Sequence, residues 1–327
     1  MRGWLWFVRA VVAIVALTGS LTWAAERGGQ YPTKPVCIVA PSGPGSAADT
    51  LARVIAPPLS ERLGQPVIVD TRPGAGSILG TELVAKSPPD GYTLVIGTPA
   101  LAINLSIART MPYDALNDFA PITLGVKQPN VFAVHPSVPA KSVKELIALA
   151  RARPGELPYA SSGVGAISHL TIELFLLMTN TRMLHVPYKS PAGGLIDLMA
   201  GRVALMGTGA IATIPHLRSG RLRALAVTSA ARTSVLPEVP TIAESGVPGY
   251  EAVGWFGVLA PTGTPKDIVL RLHKEIVAVL NQPDARERLN ADGADVVAGT
   301  PEQFAEYMKA EAVKWAKVVK AAGIKLE

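Results

Sequence analysis

The sequence predicts an α/β fold made of two doubly wound α/β lobes joined by a two-strand hinge. Three observations carry that expectation. From Val36 onward, short apolar runs bounded by Gly and Pro alternate with stretches of helical spacing. The same rhythm restarts near Leu157, after an interruption. Finally, the segments 122–134 and 244–261 read as two crossings, so that the chain leaves the first block, builds the second and returns. Apolar runs with helices between them point to parallel strands covered on both faces.

Element by element, "VCIVA" (36–40) is a strand, and "ADTLARVIAPPLSERL" (48–63) is helical by its spacing, with Pro57 and Pro58 expected to end or kink it. "PVIVD" is a second strand, "SILGTELVAKS" a second helix and "YTLVIGT" a third strand. The second block repeats the pattern in "LPYASSG", "SHLTIELFLLM", "MLHVPY", "AGGLIDLMAG", "VALMGT" and "LRALAVTS". Between the blocks, the apolar stretches Ile122 to Val126 and Val131 to Val134 are separated by Gln128 and Pro129, which marks the first crossing. "ESGVPGYEAVGWFGVLAP" marks the return, with Trp255 and Phe256 either lining a cleft or packing the hinge. Two strong helices close the chain. The last has Thr300 as N-cap, Pro301 at its first position, Gln303 completing a capping box, and Gly323 at its end. Its apolar residues Phe304, Met308, Trp315, Val318 and Val319 fall mostly on one face, so it docks. These boundaries give a signal segment at 1–24, lobe one at 25–126 plus 249–327, and lobe two at 127–248.

The signal reading rests on Arg2 and Arg9 ahead of an apolar run from Ala10 to Leu17, followed by small residues at Ala24 and Ala25. The run is too short to span a bilayer, which takes about 20 residues, and the expected cut follows Ala24. Removing Arg2 and Arg9 from 31 basic residues leaves 29 against 25 acidic ones, a net charge of +4 spread without a basic block, so nucleic acid is not the expected partner. Cys37 is the one cysteine, and inside "VCIVA" it reads as a small buried hydrophobe.

The turn after the first strand spells G-x-G-x-x-A from Gly43 through Gly45 to Ala48, with the acid Asp70 further on, the outline of a dinucleotide fingerprint. Pro44 removes an N–H that a diphosphate cradle would use, Ala48 weakens the third position, and an exported chain works outside the nicotinamide pool. No cofactor is expected. There is no G-x-S-x-G elbow, and His135, His169, His185, His216 and His273 are scattered, with no recognisable acid partner and no metal-ligand spacing on one helix. Neither an enzyme nor a metal site is expected. What recurs is a hydroxyl- and glycine-rich loop between a strand and a helix. "PSGPGSAAD" supplies Ser42, Gly45, Ser46 and Asp49; "YASSGVGAISH" supplies Ser161, Ser162, Gly163, Ser168 and His169. Such a loop offers unpaired amides and a partial positive charge, and so binds an anion without a basic side chain. The same residues also serve as ordinary helix caps. Asp49 either accepts from a ligand or caps its own helix, and His169 either polarises a ligand or is a polar residue at a helix start.

The stretches "YPTKPVCIVAPSGPGSAAD", "RLGQPVIVDTRPGAGSILGTELVAKSPPDGYTLVIGT", "LPYASSGVG", "HVPYKSPAGGLIDLMAGRV", "LRALAVTSAARTSVLPEVPTIAESGVPGYEAVGWFGVLAPTGTPK" and "WAKVVKAAGIK" closely resemble the Bug family, the extracytoplasmic receptors of tripartite tricarboxylate transporters. The resemblance covers nearly the whole chain after the signal. It implies a type II periplasmic-binding-protein architecture that closes on a small carboxylate, a periplasmic location, a membrane permease as partner and a monomeric state, with a sensor kinase as the alternative partner. It carries the ligand site to Ser42–Asp49, Ser161–His169, Thr98 with Asn104, and Met206–Ala210, which includes Thr208. The chain departs from the family pattern at Ser42, where an aromatic residue is usual, at Thr208 and Gly209, where many relatives have Asp or Asn, and at Ser190, where Gly is usual.

Overall fold

The strand β1 (Val36–Ala40) pairs in parallel with both β2 (Val67–Thr71) and β3 (Thr93–Gly97), and α1 (Ala47–Leu63), α2 (Ile78–Ala85) and α3 (Pro99–Ile107) follow them in βα order. The computed structural model describes residues 31–108 and 110–324; the expected signal segment, 1–24, lies outside them. Helix α1 runs through Pro57 and Pro58 rather than ending there. Pro57 sits on the exposed face, where the carbonyls it cannot bond are turned to solvent, while Leu51, Ile55 and Leu59 stay packed on the other.

The chain then enters β4 (Phe119–Val134), sixteen residues without a break, where the sequence suggested two apolar stretches separated at Gln128 and Pro129. The reason is its partner. The return strand β9 (Val253–Pro261) lies antiparallel to it, with Lys127 opposite Trp255, Gln128 opposite Gly254 and Pro129 opposite Val253, so the pairing continues past the donor that Pro129 lacks. Between these two strands come α4 (Val143–Ala152), β5 (Pro158–Ser161), α5 (Ile167–Thr179), β6 (Leu184–Pro187), α6 (Pro191–Met199), β7 (Leu205–Gly209), α7 (Ala210–Arg218) and β8 (Arg223–Val227). After β9 follow α8 (Lys266–Leu280), α9 (Pro283–Ala291), β10 (Asp295–Val296) and α10 (Pro301–Ala322).

Among the described residues the first sheet has the order β2-β1-β3-β9-β4-β10, and the second runs β8-β4-β7-β5-β6. Each is parallel on one side, in β2-β1-β3 and in β7-β5-β6, and antiparallel wherever β4 or β9 pairs, β4 belonging to both. The expectation of parallel sheets therefore holds only away from the crossing strands. No described helix is long and apolar enough to cross a membrane.

The core is continuous across the crossing. One buried cluster takes in Val39, Val95 and Leu101 of the first sheet's layers together with Phe132, Tyr159 and Leu170 of the second. Helix α10 explains this. It carries the capping box between Thr300 and Gln303, ends on left-handed Gly323, buries Phe304, Met308, Trp315, Val318 and Val319, and packs on α3, β4 and α5. Its anchor is Glu311, buried at 3% exposure, whose Oε2 accepts from both Trp255 Nε1 (3.2 Å) and Trp315 Nε1 (2.8 Å), while Lys314 pairs with the other oxygen. Replacing Glu311 by Ala leaves two buried indole N–H groups unpaired, each costing about 1–3 kcal/mol. Chemical denaturation should show a loss of about 2–4 kcal/mol for Glu311→Ala and a smaller one for Glu311→Gln, which keeps an acceptor.

Candidate functional site

The strand-to-helix loops do not all end alike. At α1 the N-cap Ser46 accepts from Asp49 N–H (3.3 Å), and the Asp49 carboxylate accepts from Gly45 N–H (2.9 Å), Arg53 Nε (2.9 Å) and Thr71 Oγ1 (3.0 Å). This helix start is closed on itself. Asp49 is 3% exposed, and its carboxyl is held below the usual range by the Arg53 hydrogen bond first, against the opposing effect of burial, with Gly45 and Thr71 adding to it. Asp70, the acid of the fingerprint outline, pairs with Arg72 at 2.8 Å.

Of the described helix starts without a side-chain cap, three bear on the site: Ser77 before α2, Thr98 before α3 and Ala166 before α5. Their loops converge on one chamber of about 470 Å³. Its wall includes Ser42 at the end of β1, Ala75, Gly76 and Ile78 after β2, Thr98 to Ala100 after β3, and the run from Ser162 to Ile167 after β5. Asn104 and Ile103 of α3, Gln128 and Asn130 of β4, and Gly254 and Phe256 of β9 complete it. Among the described residues, no Lys, Arg, His, Asp or Glu lines this chamber. Its donors are hydroxyls, carboxamides and the orphan amides of uncapped helix starts, which together attract an anion without a counter-charge. Ile78, Ile103, Ile107, Ile167 and Phe256 supply apolar wall.

Local bonds fix these donors. Ser42 Oγ lies 3.3 Å from Ser77 Oγ, and Asn104 Nδ2 donates to Gly76 O (3.2 Å). Ser162 is clamped by Ser168, whose Oγ accepts Ser162 N–H at 2.9 Å and lies 2.8 Å from Ser162 Oγ. The loop before α2 is strained, because Ala75 (φ 46°), Gly76 (φ 63°) and Ser77 (φ 75°) are all left-handed, and only the middle one is glycine.

A second chamber of about 480 Å³ shares Gln128, Asn130, Ser162 and Ile167 with the first and is otherwise lined by Gly45, Ala47, Ser168, Pro191, Thr208, Gly209 and others, with Asp292 as its one charged side chain. That carboxylate disfavours an anion there.

Of the residues singled out in the sequence, Ser42, Thr98, Asn104, Ser162 and Gly163 meet in the uncharged chamber, while Gly45 and Thr208 line the second. Ser46, Asp49, Ser161 and His169 line neither; Ser161 and His169 are buried at 0% and 4% exposure behind the loop they were expected to present. His169 and His185, scattered in sequence, stack on each other with Glu173 beside them; Glu173 lies four residues after His169 on α5, an acid partner that the sequence reading overlooked. Cys37 is half-buried rather than fully enclosed. Trp255 packs the core on Glu311, and Phe256 lines the chamber. Sequence reasoning missed Gln128, read only as part of an interruption, and did not single out Asn130 or the loop "PGAGS", although that loop is as glycine-rich as the two that were recognised.

Comparison with known proteins agrees with this architecture. The family model described as tripartite tricarboxylate transporter family receptor matches residues 51–324. Protein BugT of Bordetella pertussis is 38% identical over 320 residues, covering 97% of this chain and 98% of that protein. Among solved structures, R. palustris Rpa4515 with adipate is 43% identical with a TM-score of 0.77, covering 91% of this chain and all of that one. MatC from Rhodopseudomonas palustris with bound malate is 30% identical with a TM-score of 0.73, covering 88% of this chain and all of that one.

The Asp49 geometry makes a signed prediction. A carboxyl whose folded value is lowered stabilises the fold above the ordinary Asp value of about 3.9, and that contribution disappears as pH falls through the folded value. Urea titrations from pH 7 downward should therefore show Asp49→Asn less stable than the wild type at neutral pH, with the gap closing only below about pH 4.

Proposed function

The chain belongs to the family of tripartite tricarboxylate transporter receptors, and on that footing we propose that it captures a small dicarboxylate in the uncharged chamber and hands it to a membrane permease. It is a solute-binding receptor of a family of periplasmic binding proteins, not an enzyme. The observation that carries the ligand reading is the convergence of three uncapped helix starts on a chamber with no charged wall. One carboxylate sits against the loop 162–166 with the hydroxyls of Ser162 and Thr98; the carboxamides of Asn104 and Asn130 orient the rest of the molecule. Ser46, Asp49, Ser161 and His169 hold the loops in place, and Gly45 and Thr208 border the approach through the second chamber. Ser42 offers a hydroxyl where an aromatic ring would narrow the space, so it is the position that tunes ligand choice.

The apolar belt of Ile78, Ile103, Ile107 and Phe256 favours a ligand whose middle is hydrocarbon, and the adipate found in the Rhodopseudomonas neighbour has that character. The two lobes, 25–126 with 249–327 and 127–248, close around the ligand by bending β4 and β9 where they cross. A micromolar dissociation constant corresponds to about 8 kcal/mol. A few hydrogen bonds to a charged group, at about 1.5–3 kcal/mol each, supply most of that. The mature receptor, cut after Ala24, is taken to work in the periplasm as a monomer, which its elution volume on gel filtration would check.

Titration calorimetry of the mature chain against adipate, shorter and longer dicarboxylates, and malate tests the reading. At least one should bind in the micromolar range, and Asn130→Ala and Ser162→Ala should each weaken it roughly tenfold, about 1.4 kcal/mol. Folded protein that bound none of them would overturn the assignment.

A further inference from the structure

Behind the loop 162–166 lies a buried cluster that touches no part of the chamber. His169, in the first turn of α5, and His185, on β6, stack with ring centroids 3.7 Å apart and planes 6° from parallel; the Tyr159 ring lies 5.0 Å from His185. Each imidazole is tied to the loop. Gly165 N–H donates to His169 Nδ1 at 3.1 Å. His185 Nε2 lies 2.6 Å from Ser161 Oγ, which also accepts Gly163 N–H (3.2 Å) and donates to Gly163 O (3.1 Å). Beneath them, Glu173 lies 3.7 Å from His169 Nε2 and accepts the Tyr159 hydroxyl.

Resting on the receptor reading above, we propose that His169 and His185 are positioning residues: as a neutral stacked pair that takes the Gly165 N–H directly and the Gly163 N–H through Ser161, they hold this stretch of the loop in the shape it presents to the chamber, and they release it when the pair takes up a proton. The chemistry of the bonds sets this logic. An amide N–H can only donate, so His169 Nδ1 must present a lone pair, and its single proton sits on Nε2 facing Glu173. Protonating His169 requires that lone pair and expels the Gly165 amide. Protonating His185 instead places a cation against the face of its stacked neighbour. With the rings stacked 3.7 Å apart, two imidazolium cations would repel each other directly.

The surrounding charges do not reverse this. Tyr159 and Ser161 face the pair from β5 and Glu173 from α5. On the outer side of Glu173, α10 contributes Val318, Ala321 and Ala322, none of which titrates, and the connection after α5 contributes Arg182. Burial first, and then the charge of His169, push His185 down to about 4 against the pull of Glu173. Burial works to raise the Glu173 carboxyl, yet hydrogen bonds from His169 and Tyr159 outweigh it and keep it below the usual range. A histidine lowered in the fold contributes fully above its ordinary value of about 6.5, and the contribution is lost as pH falls toward the folded value.

The test uses the mature chain labelled with ¹⁵N-glycine, without ligand, followed by amide spectra from pH 8 to 4. Gly163 and Gly165 should shift together in one step, while Gly64 and Gly323, at remote helix ends, report that the fold persists. In His169→Gln, which keeps an acceptor for Gly165 but cannot titrate in this range, the step should vanish from Gly165; His185→Gln serves if the first variant does not fold. Amides that stay still across the range, or a Gly165 step that persists unchanged in His169→Gln, would overturn the proposal. The same titration with adipate adds the functional readout. At the midpoint half the molecules carry the competent loop, so the apparent affinity should fall about twofold relative to His169→Gln, and about tenfold more for each further pH unit. If adipate does not bind the wild type at neutral pH, the receptor reading is what suffers, and the amide titration still decides the role of the histidines.

Discussion

The strand Phe119–Val134 is the constraint on which the other features depend, because it is a member of both sheets. Its backbone stays paired to β9 across the crossing, so the chain passes between the sheets without leaving a run of buried N–H and C=O groups unsatisfied. That continuity puts Gln128 and Asn130 at the one place that borders both chambers. It is reinforced from outside. Lys127 pairs with Glu251 at 2.8 Å and lies 4.5 Å over the Tyr307 ring, while Glu311 binds Trp255 on β9.

The second theme is how a site without cations attracts an anion. Helix α1 spends its N-terminal donors internally on Ser46 and Asp49, whereas the N-cap residues of α2, α3 and α5 make no side-chain cap, and the loops that lead into these three helices meet at the chamber. Amides fixed by the backbone lose little freedom when a ligand arrives, unlike the long side chains of Lys and Arg. The cost shows up as strain at Ala75 and Ser77 and as the buried polar cluster that steadies Gly163 and Gly165. A site of this kind recognises shape and carboxylate geometry rather than net charge.

Much of this was legible from the residues. The alternation of apolar runs and helices defined the βα units, the capping box at Thr300 and Gln303 fixed the start of the last helix, and the paired serine–glycine loops led to one wall of the chamber from each sheet. What could not be read is whether a loop residue turns toward the cavity or back into the protein. Ser161 and Ser162 are adjacent, yet one is buried against His185 and the other lines the chamber, because successive strand-end residues point to opposite faces. Nor does sequence spacing bring His169 beside His185, since their contact is made by the parallel pairing of β5 and β6. The continuity of β4 through Pro129 depends likewise on a partner more than a hundred residues away.

A crystal structure of the mature chain with its tightest-binding dicarboxylate tests the central claim most directly. The account predicts one carboxylate within hydrogen-bond distance of the loop 162–166, with Thr98 or Ser162 hydroxyls beside it and no lysine or arginine nitrogen in contact. A carboxylate held by a basic side chain, or seated in the chamber that Asp292 lines, would contradict it.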